Sequence, residues 1–123
     1  MPPEVGKITA HIASLLGLTI PGELPIYLGK SNITHMMNSH PNEFRKYGNA
    51  IPLILSQPDY VGLNPSDDSI EYVKEFAVDN DFVKVAVRVS RSGNYYARSL
   101  YILNPNRVQN FIAKGTLKST KSP

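Results

Sequence analysis

Cysteine is absent from all 123 residues, so no disulfide, thiolate nucleophile or cysteine-ligated zinc can belong to this chain, while the compartment stays open because the absence fits oxidising and reducing conditions alike. Long apolar runs are missing too. No stretch approaches the roughly 20 residues that span a bilayer, and Met1-Pro2-Pro3-Glu4 lacks the basic and apolar regions of a secretory leader; nothing directs the chain to a membrane. Charged residues make up only 19% and hydrophobic ones 41%, the balance of a globular protein and not of a disordered one. At this length one domain with a closed core is expected without staples.

The most telling shortage is of acid. From residue 82 onward there is no Asp or Glu, whereas Lys84, Arg88, Arg91, Arg98, Arg107, Lys114, Lys118 and Lys121 all fall there; residues 1–81 hold all ten acids against five bases. The formal net charge of +3 therefore hides a positive half, and the usual partners of such a field are phosphate chains or acidic surfaces. A solvated basic tail would explain Lys118 and Lys121. It explains Lys84, Arg88 and Arg98 less well, because they sit in a strand-like stretch.

The pattern of apolar residues changes period along the chain. Residues 6–16 place Ile8, Ile12, Leu15 and Leu16 at helical spacing with Gly17 as a stop, which predicts a short amphipathic helix. Pro21-Gly22 and Pro25 mark a loop into a brief extended Ile26-Tyr27-Leu28. Ser31 is a candidate cap for a second helix through His35, Met36 and Met37. A third starts near His40-Pro41, pauses at Gly48-Asn49 and resumes at Pro52. Residues 60–63, 70–76, 82–90 and 95–103 read as strands separated by turn-forming clusters, and Asn104-Pro105 opens a last short helix ended by Gly115. The expected class is α+β, with N-terminal helices packed on a four-stranded antiparallel sheet and a C-terminal helix. One domain is expected over residues 1–123, with a helix and loop over 1–25 and a frayed tail over 119–123.

The last hairpin decides which side chains share a face. A two- or four-residue turn around Ser92-Gly93 sets Val89, Val87, Val85 and Val83 opposite Tyr96, Arg98, Leu100 and Ile102, an apolar face but for Arg98, and assigns that face to the core. The other face gathers Lys84, Ala86 and Arg88 with Tyr101, Ser99 and Ala97, and Tyr95 and Ser90 beyond them. A three-residue turn would exchange the faces of the second strand. Arg and Lys can hold charge on phosphodiester oxygens, Ser99 and Tyr101 can donate hydrogen bonds, and aromatics beside cations suit an unstacked base. An ordinary solvated sheet face carries the same kinds of residue. Histidine is the natural group for proton transfer at neutral pH. His35 and His40 straddle the predicted helix break, their spacing matches no zinc motif, and His40 can equally cap the helix at Pro41. His11, on the polar side of the first helix, is assigned to structure.

Taken together, Ile26-Tyr27-Leu28, His35 with His40-Pro41, the run Ile54-Leu55-Ser56-Gln57-Pro58-Asp59-Tyr60-Val61-Gly62, then Ile70-Glu71-Tyr72-Val73-Lys74, Val85-Ala86-Val87-Arg88-Val89-Ser90 and Tyr95-Tyr96-Ala97-Arg98-Ser99-Leu100-Tyr101 resemble the phage and toxin branch of the barnase, EndoU, colicin and RelE-like ribonuclease superfamily. The resemblance implies helices on a four-stranded antiparallel sheet and metal-independent RNA cleavage, with tRNA a usual target, by transesterification to a 2′,3′-cyclic phosphate, with no cofactor. It assigns activity to a helical His with a basic residue and a Ser or Thr from the strands: here His35 or His40, Arg88 with Lys84 as its rival, and Ser99. Tyr101 joins them from the face argument, and Arg91, Tyr95 and Arg98 are expected to hold substrate. No Glu plainly matches the general base of barnase, so a His base is expected. A toxic nuclease acting in the cytoplasm, delivered within a phage or secreted toxin polypeptide, implies an acidic immunity or antitoxin protein over the basic face; no membrane partner is implied and a monomer is the default. Two other readings fit the same face: a non-catalytic RNA-binding module, and a phage-encoded domain that docks an acidic protein.

Overall fold

A computed structural model describes residues 2–121. One continuous sheet of seven strands runs through it. The strands are β1 (Glu4–Ile8), β2 (Leu24–Tyr27), β3 (Tyr60–Leu63), β4 (Ile70–Phe76), β5 (Asp81–Val89), β6 (Tyr95–Leu103) and β7 (Lys118–Ser119), in the order β1-β2-β6-β5-β4-β3-β7. The helices are α1 (Ala10–Leu16), α2 (Lys30–Ser39), α3 (Pro41–Tyr47), α4 (Ile51–Ser56) and α5 (Pro105–Ala113), with a 3-10 turn at Gly48–Ala50. None of them is long and apolar enough to cross a membrane.

The expected sheet of four antiparallel strands is corrected in three places. β3, β4, β5 and β6 do pair antiparallel, but β2 joins β6 in parallel through Ile26↔Tyr95 and Tyr27↔Tyr96, which makes the sheet mixed. Next, the predicted helix over residues 6–16 is a strand followed by a shorter helix. Thr9 caps α1, its side chain accepting a hydrogen bond from the Ile12 amide at 3.2 Å, while residues 4–8 pair with β2. Ile8 and Ile12 are both buried in one core, so a spacing of four reflects a shared destination and not one helix. Finally, the expected frayed tail is tied down as far as it is described. Lys118 and Ser119 pair with Val61 and Tyr60, the Thr120 amide donates to the Asp59 carbonyl and its hydroxyl to Pro58; residues 122–123 lie outside the described residues.

The helices between β2 and β3 bury one face of the sheet. Met36, Tyr47, Ile51, Ile54 and Leu55 meet Ile70, Tyr72, Val83, Val85, Val87 and Leu100 in the larger core. α5 covers only one end of the opposite face, where Val108 packs with Val73, Phe82, Leu103 and Leu117. The return of the chain to β7 needs a bare backbone at Gly62, since a Cβ there would overlap the Thr116 carbonyl. The rest of the second sheet face stays open, and the polar strand residues lie there.

Helical half and sheet are also joined by charge. The Tyr47 hydroxyl donates to Asp81 Oδ2 at 2.6 Å and Lys46 Nζ donates to the same oxygen at 3.0 Å. Burial and Asp81 push the Tyr47 phenol up to about 12, and the Tyr47 hydrogen bond, joined by Lys46, holds the Asp81 carboxyl below its ordinary 3.8. A carboxyl depressed by folding stabilises above its unfolded pKa, and that contribution is lost as pH falls through the folded value. Asp81→Asn is therefore expected to cost about 1.5 kcal/mol near pH 7. In urea unfolding followed across pH, its deficit against the wild type should shrink below pH 3.8; a deficit constant with pH would contradict this.

Candidate active site

Two irregularities in the β5–β6 hairpin set the site. The Ser90 amide donates to the Asn94 carbonyl at 2.7 Å and the Gly93 amide to the Ser90 carbonyl at 3.0 Å, leaving a three-residue turn Arg91-Ser92-Gly93 with Gly93 at φ 89°, the left-handed position such a turn requires. The odd turn gives Val89↔Tyr95, Arg88↔Tyr96 and Val87↔Ala97, the exchanged register. The ladder then shifts between Ala86 and Val87. Arg98 is the unpaired extra residue of this bulge, and the partners Ala86↔Ser99, Val85↔Leu100 and Lys84↔Tyr101 follow.

The turn and the bulge together correct four expectations. Arg98, assigned to the core face, is exposed and lines the open cleft instead. Tyr95, expected to hold substrate, pairs with Val89 and packs on the larger core. Tyr96, assigned to the core face, replaces it beside Arg88 in the cleft, and Ala97 is buried among the valines.

The cleft is about 900 Å³ and brings together His35, Arg88, Ser99, Tyr101, Arg91 and Arg98. α2 supplies His35. Gly29 caps this helix, not Ser31 as expected, and the Gly29 amide donates to Asn32 Oδ1 at 2.9 Å. Met36 anchors α2 in the core with no exposure, while Ser31, Asn32 and His35, one turn apart, line the cleft. The Ser39 hydroxyl lies 3.5 Å from His35 Nδ1. Because β2 pairs with β6 only at Tyr95 and Tyr96, α2 and α3 pack against β6 and present their polar groups across its edge. Small Ala86 and Ser99, opposite each other, leave room on the floor.

His40 and Lys84 stand apart from this cleft. His40 holds the cap position of α3, but its ring makes no capping bond; Nδ1 lies 2.9 Å from Glu43 Oε2, and the ring packs 5.1 Å from that of Tyr101. Lys84 Nζ lies 4.4 Å from the Tyr101 ring centre on its own account and donates to Glu71 Oε2 at 2.6 Å. Burial works against its ammonium, and Glu71 with Tyr101 outweighs that, so the Lys84 pKa is raised. His11, assigned to structure, lies with Nε2 2.8 Å from the Thr120 carbonyl.

Sequence reasoning missed Glu43, Asp67 and Glu71. Glu71 lines the cleft from β4, and extending the strand alternation by one more pairing, Glu71↔Ala86, would have found it. Asp67 sits in the β3–β4 loop, where no periodicity points. The Ser69 amide donates to its Oδ1 at 2.9 Å, and that bond, aided by the Ser69 side chain and by Arg88 and Lys84, holds the Asp67 carboxyl below its ordinary value. Lys30, Arg88, Arg91 and Arg98 thus face two carboxylates in the cleft, one of which already carries Lys84. The surplus is positive, as an anionic chain requires. Among the described residues no group of three His, Asp or Glu side chains is placed to hold a metal ion.

The buried and exposed cations should separate in stability measurements. Lys84→Met leaves Glu71 unpaired under cover and is expected to cost about 3 kcal/mol, whereas exposed Arg88→Gln should stay within about 0.5 kcal/mol of the wild type. Urea unfolding of the two variants distinguishes the roles; equal costs would refute the division.

Over residues 3–110 the chain matches the family described as phage-Barnase-EndoU-ColicinE5/D-RelE like nuclease3. Neither curated proteins nor solved structures gave a match.

Proposed function

The chain belongs to this nuclease family, and we propose that its cleft cleaves RNA by transesterification, without a metal ion, to leave a 2′,3′-cyclic phosphate. The observation that carries the reading is the meeting of one imidazole, from His35 in the helical half, with the Arg88 guanidinium and the Ser99 hydroxyl of the central strands in one cationic cleft. His35 takes the 2′-hydroxyl proton as O2′ attacks phosphorus. Tyr101 gives its phenolic proton to the departing 5′-oxygen. Arg88 and Arg98 neutralise the charge that builds on the non-bridging oxygens, and Ser99 orients the phosphate by a hydrogen bond.

His40 acts here as a positioning residue: Glu43 holds its ring, and its ring holds Tyr101. Lys84 is likewise a partner of Tyr101 and Glu71, not a ligand of phosphate. Arg91 at the hairpin tip extends the field toward incoming RNA, of which tRNA is the class the superfamily favours. An acidic immunity protein is the partner that this same cationic cleft would accept, and a site of action in the cytoplasm follows from the substrate.

Incubating the purified chain with total RNA in EDTA should release fragments ending in cyclic phosphate. His35→Ala is expected to lower kcat/KM by about 10²- to 10⁴-fold while RNA affinity is kept, and Arg88→Ala should weaken both. Undiminished cleavage by His35→Ala would overturn the assigned base. Tight RNA binding with no cleavage at all would leave a binding module.

A further inference from the structure

We propose that a second hollow, beside the cleft and under α5, receives the base of a nucleotide next to the scissile phosphate, stacked on the Phe111–Arg107 pair; this rests on the RNA-cleaving reading. The hollow measures about 600 Å³ and shares Asn64, Glu71 and Tyr101 with the cleft, so a chain bound across the cationic groups can pass over Tyr101 into it. Its size lies in the range of small-ligand sites.

Its walls have the chemistry of a base pocket. Leu63, Leu103 and Leu117 give apolar surface, and Phe111 a ring whose centre lies 5.6 Å from the Arg107 guanidinium carbon. Unstacked bases pack on aromatic rings and guanidinium planes, and such stacking is strong enough to select a binding register without reading sequence. The ring pair is partly exposed and so open to a third plane. Polar groups at the rim are donors. Asn104 Oδ1 accepts from the Asn106 amide and Asn64 Oδ1 from the Ser66 amide, each at 2.8 Å; among the described residues neither NH₂ group has a hydrogen-bond partner, and Arg107 adds its own N–H groups. Glu71, the one carboxylate on the wall, is occupied by Lys84. A rim of this kind favours a base edge that offers acceptors. Most of the wall, Asn104 and Arg107 included, falls within the 3–110 span of the family match, and Phe111, Thr116 and Leu117 complete it from just beyond that span.

The test uses a short RNA whose cut site has been mapped, together with versions carrying an abasic nucleotide on one side of that site or the other. The wild type should lose on the order of tenfold in kcat/KM for one abasic position and little for the other. Arg107→Gln, an exposed change, and Phe111→Leu should each lower cleavage of the intact RNA by several fold, and combining either with the sensitive abasic RNA should add no further loss. Asn104→Asp keeps the oxygen that caps α5 while removing the NH₂ donor, and should lose rate on the intact RNA with an unchanged unfolding midpoint. Cleavage indifferent to both abasic positions, or losses that multiply, would overturn the subsite and leave the nuclease reading standing. No cleavage of any RNA would overturn both, and that result appears before an abasic substrate is used.

Discussion

The site depends on two departures from regular pairing that offset each other within one hairpin. A three-residue turn reverses the faces of β6, and the bulge at Arg98 restores them four residues later. Either alone would turn Ser99 and Tyr101 into the helix-packed core and aim Leu100 at solvent, because a shift of one residue moves every side chain to the other face. With both, Leu100 stays buried, Tyr96 joins Arg88, and Arg98 leaves the ladder to join the same cleft. The bulge thereby adds an exposed guanidinium to the cleft beside that of Arg88.

Charge is sorted by the same architecture. α5 covers the sheet end that carries Phe82 and Leu103, so Lys84, next along the strand face, is enclosed. A buried cation needs a partner, and Glu71 one strand over provides it. Arg88, four residues further on, lies beyond the reach of α5 and stays exposed. One alternation thus yields a structural cation and an exposed one, and sequence alone treats them as rivals because it does not say which part of the sheet face α5 covers.

Much of the fold was legible. Strands β3, β4 and β6 begin and end where their β-branched and aromatic runs do, α3 starts at Pro41, and Asn104 caps α5. What escaped was held by distant partners. β1 and β7 are short segments whose hydrogen bonds are made to β2 and β3, and nothing within five or two residues announces that. In the candidate site, the resemblance pointed to His35 or His40, to Arg88 or Lys84 and to Ser99, and alternation added Tyr101; Ser99 and Tyr101 keep the expected face because the turn and the bulge offset each other. The faces of Tyr95 and Tyr96 follow from the three-residue turn, the alternative that the sequence left open, whereas the place of Arg98 follows from the bulge, a property of the pair of strands that neither strand's pattern contains. Glu43 and Asp67 escaped because their value lies in one neighbour each, His40 and Ser69.

The two histidines show how a helix break turns proximity into difference. His35 and His40 are five residues apart, yet α2 ends at Ser39 and His40 has φ −140° and ψ 64°, outside the helical region. One ring therefore faces the cleft from the helix, and the other drops against Tyr101 with Glu43 behind it. Transesterification needs one group to take a proton and another to give one, and two groups in equal surroundings would do neither in preference. Here the imidazole in the cleft has a hydroxyl at its Nδ1, while the phenol in the cleft is flanked by an imidazole and an ammonium. That difference in position, set by a single non-helical residue before Pro41, is what the proposed division of the two proton transfers between His35 and Tyr101 rests on.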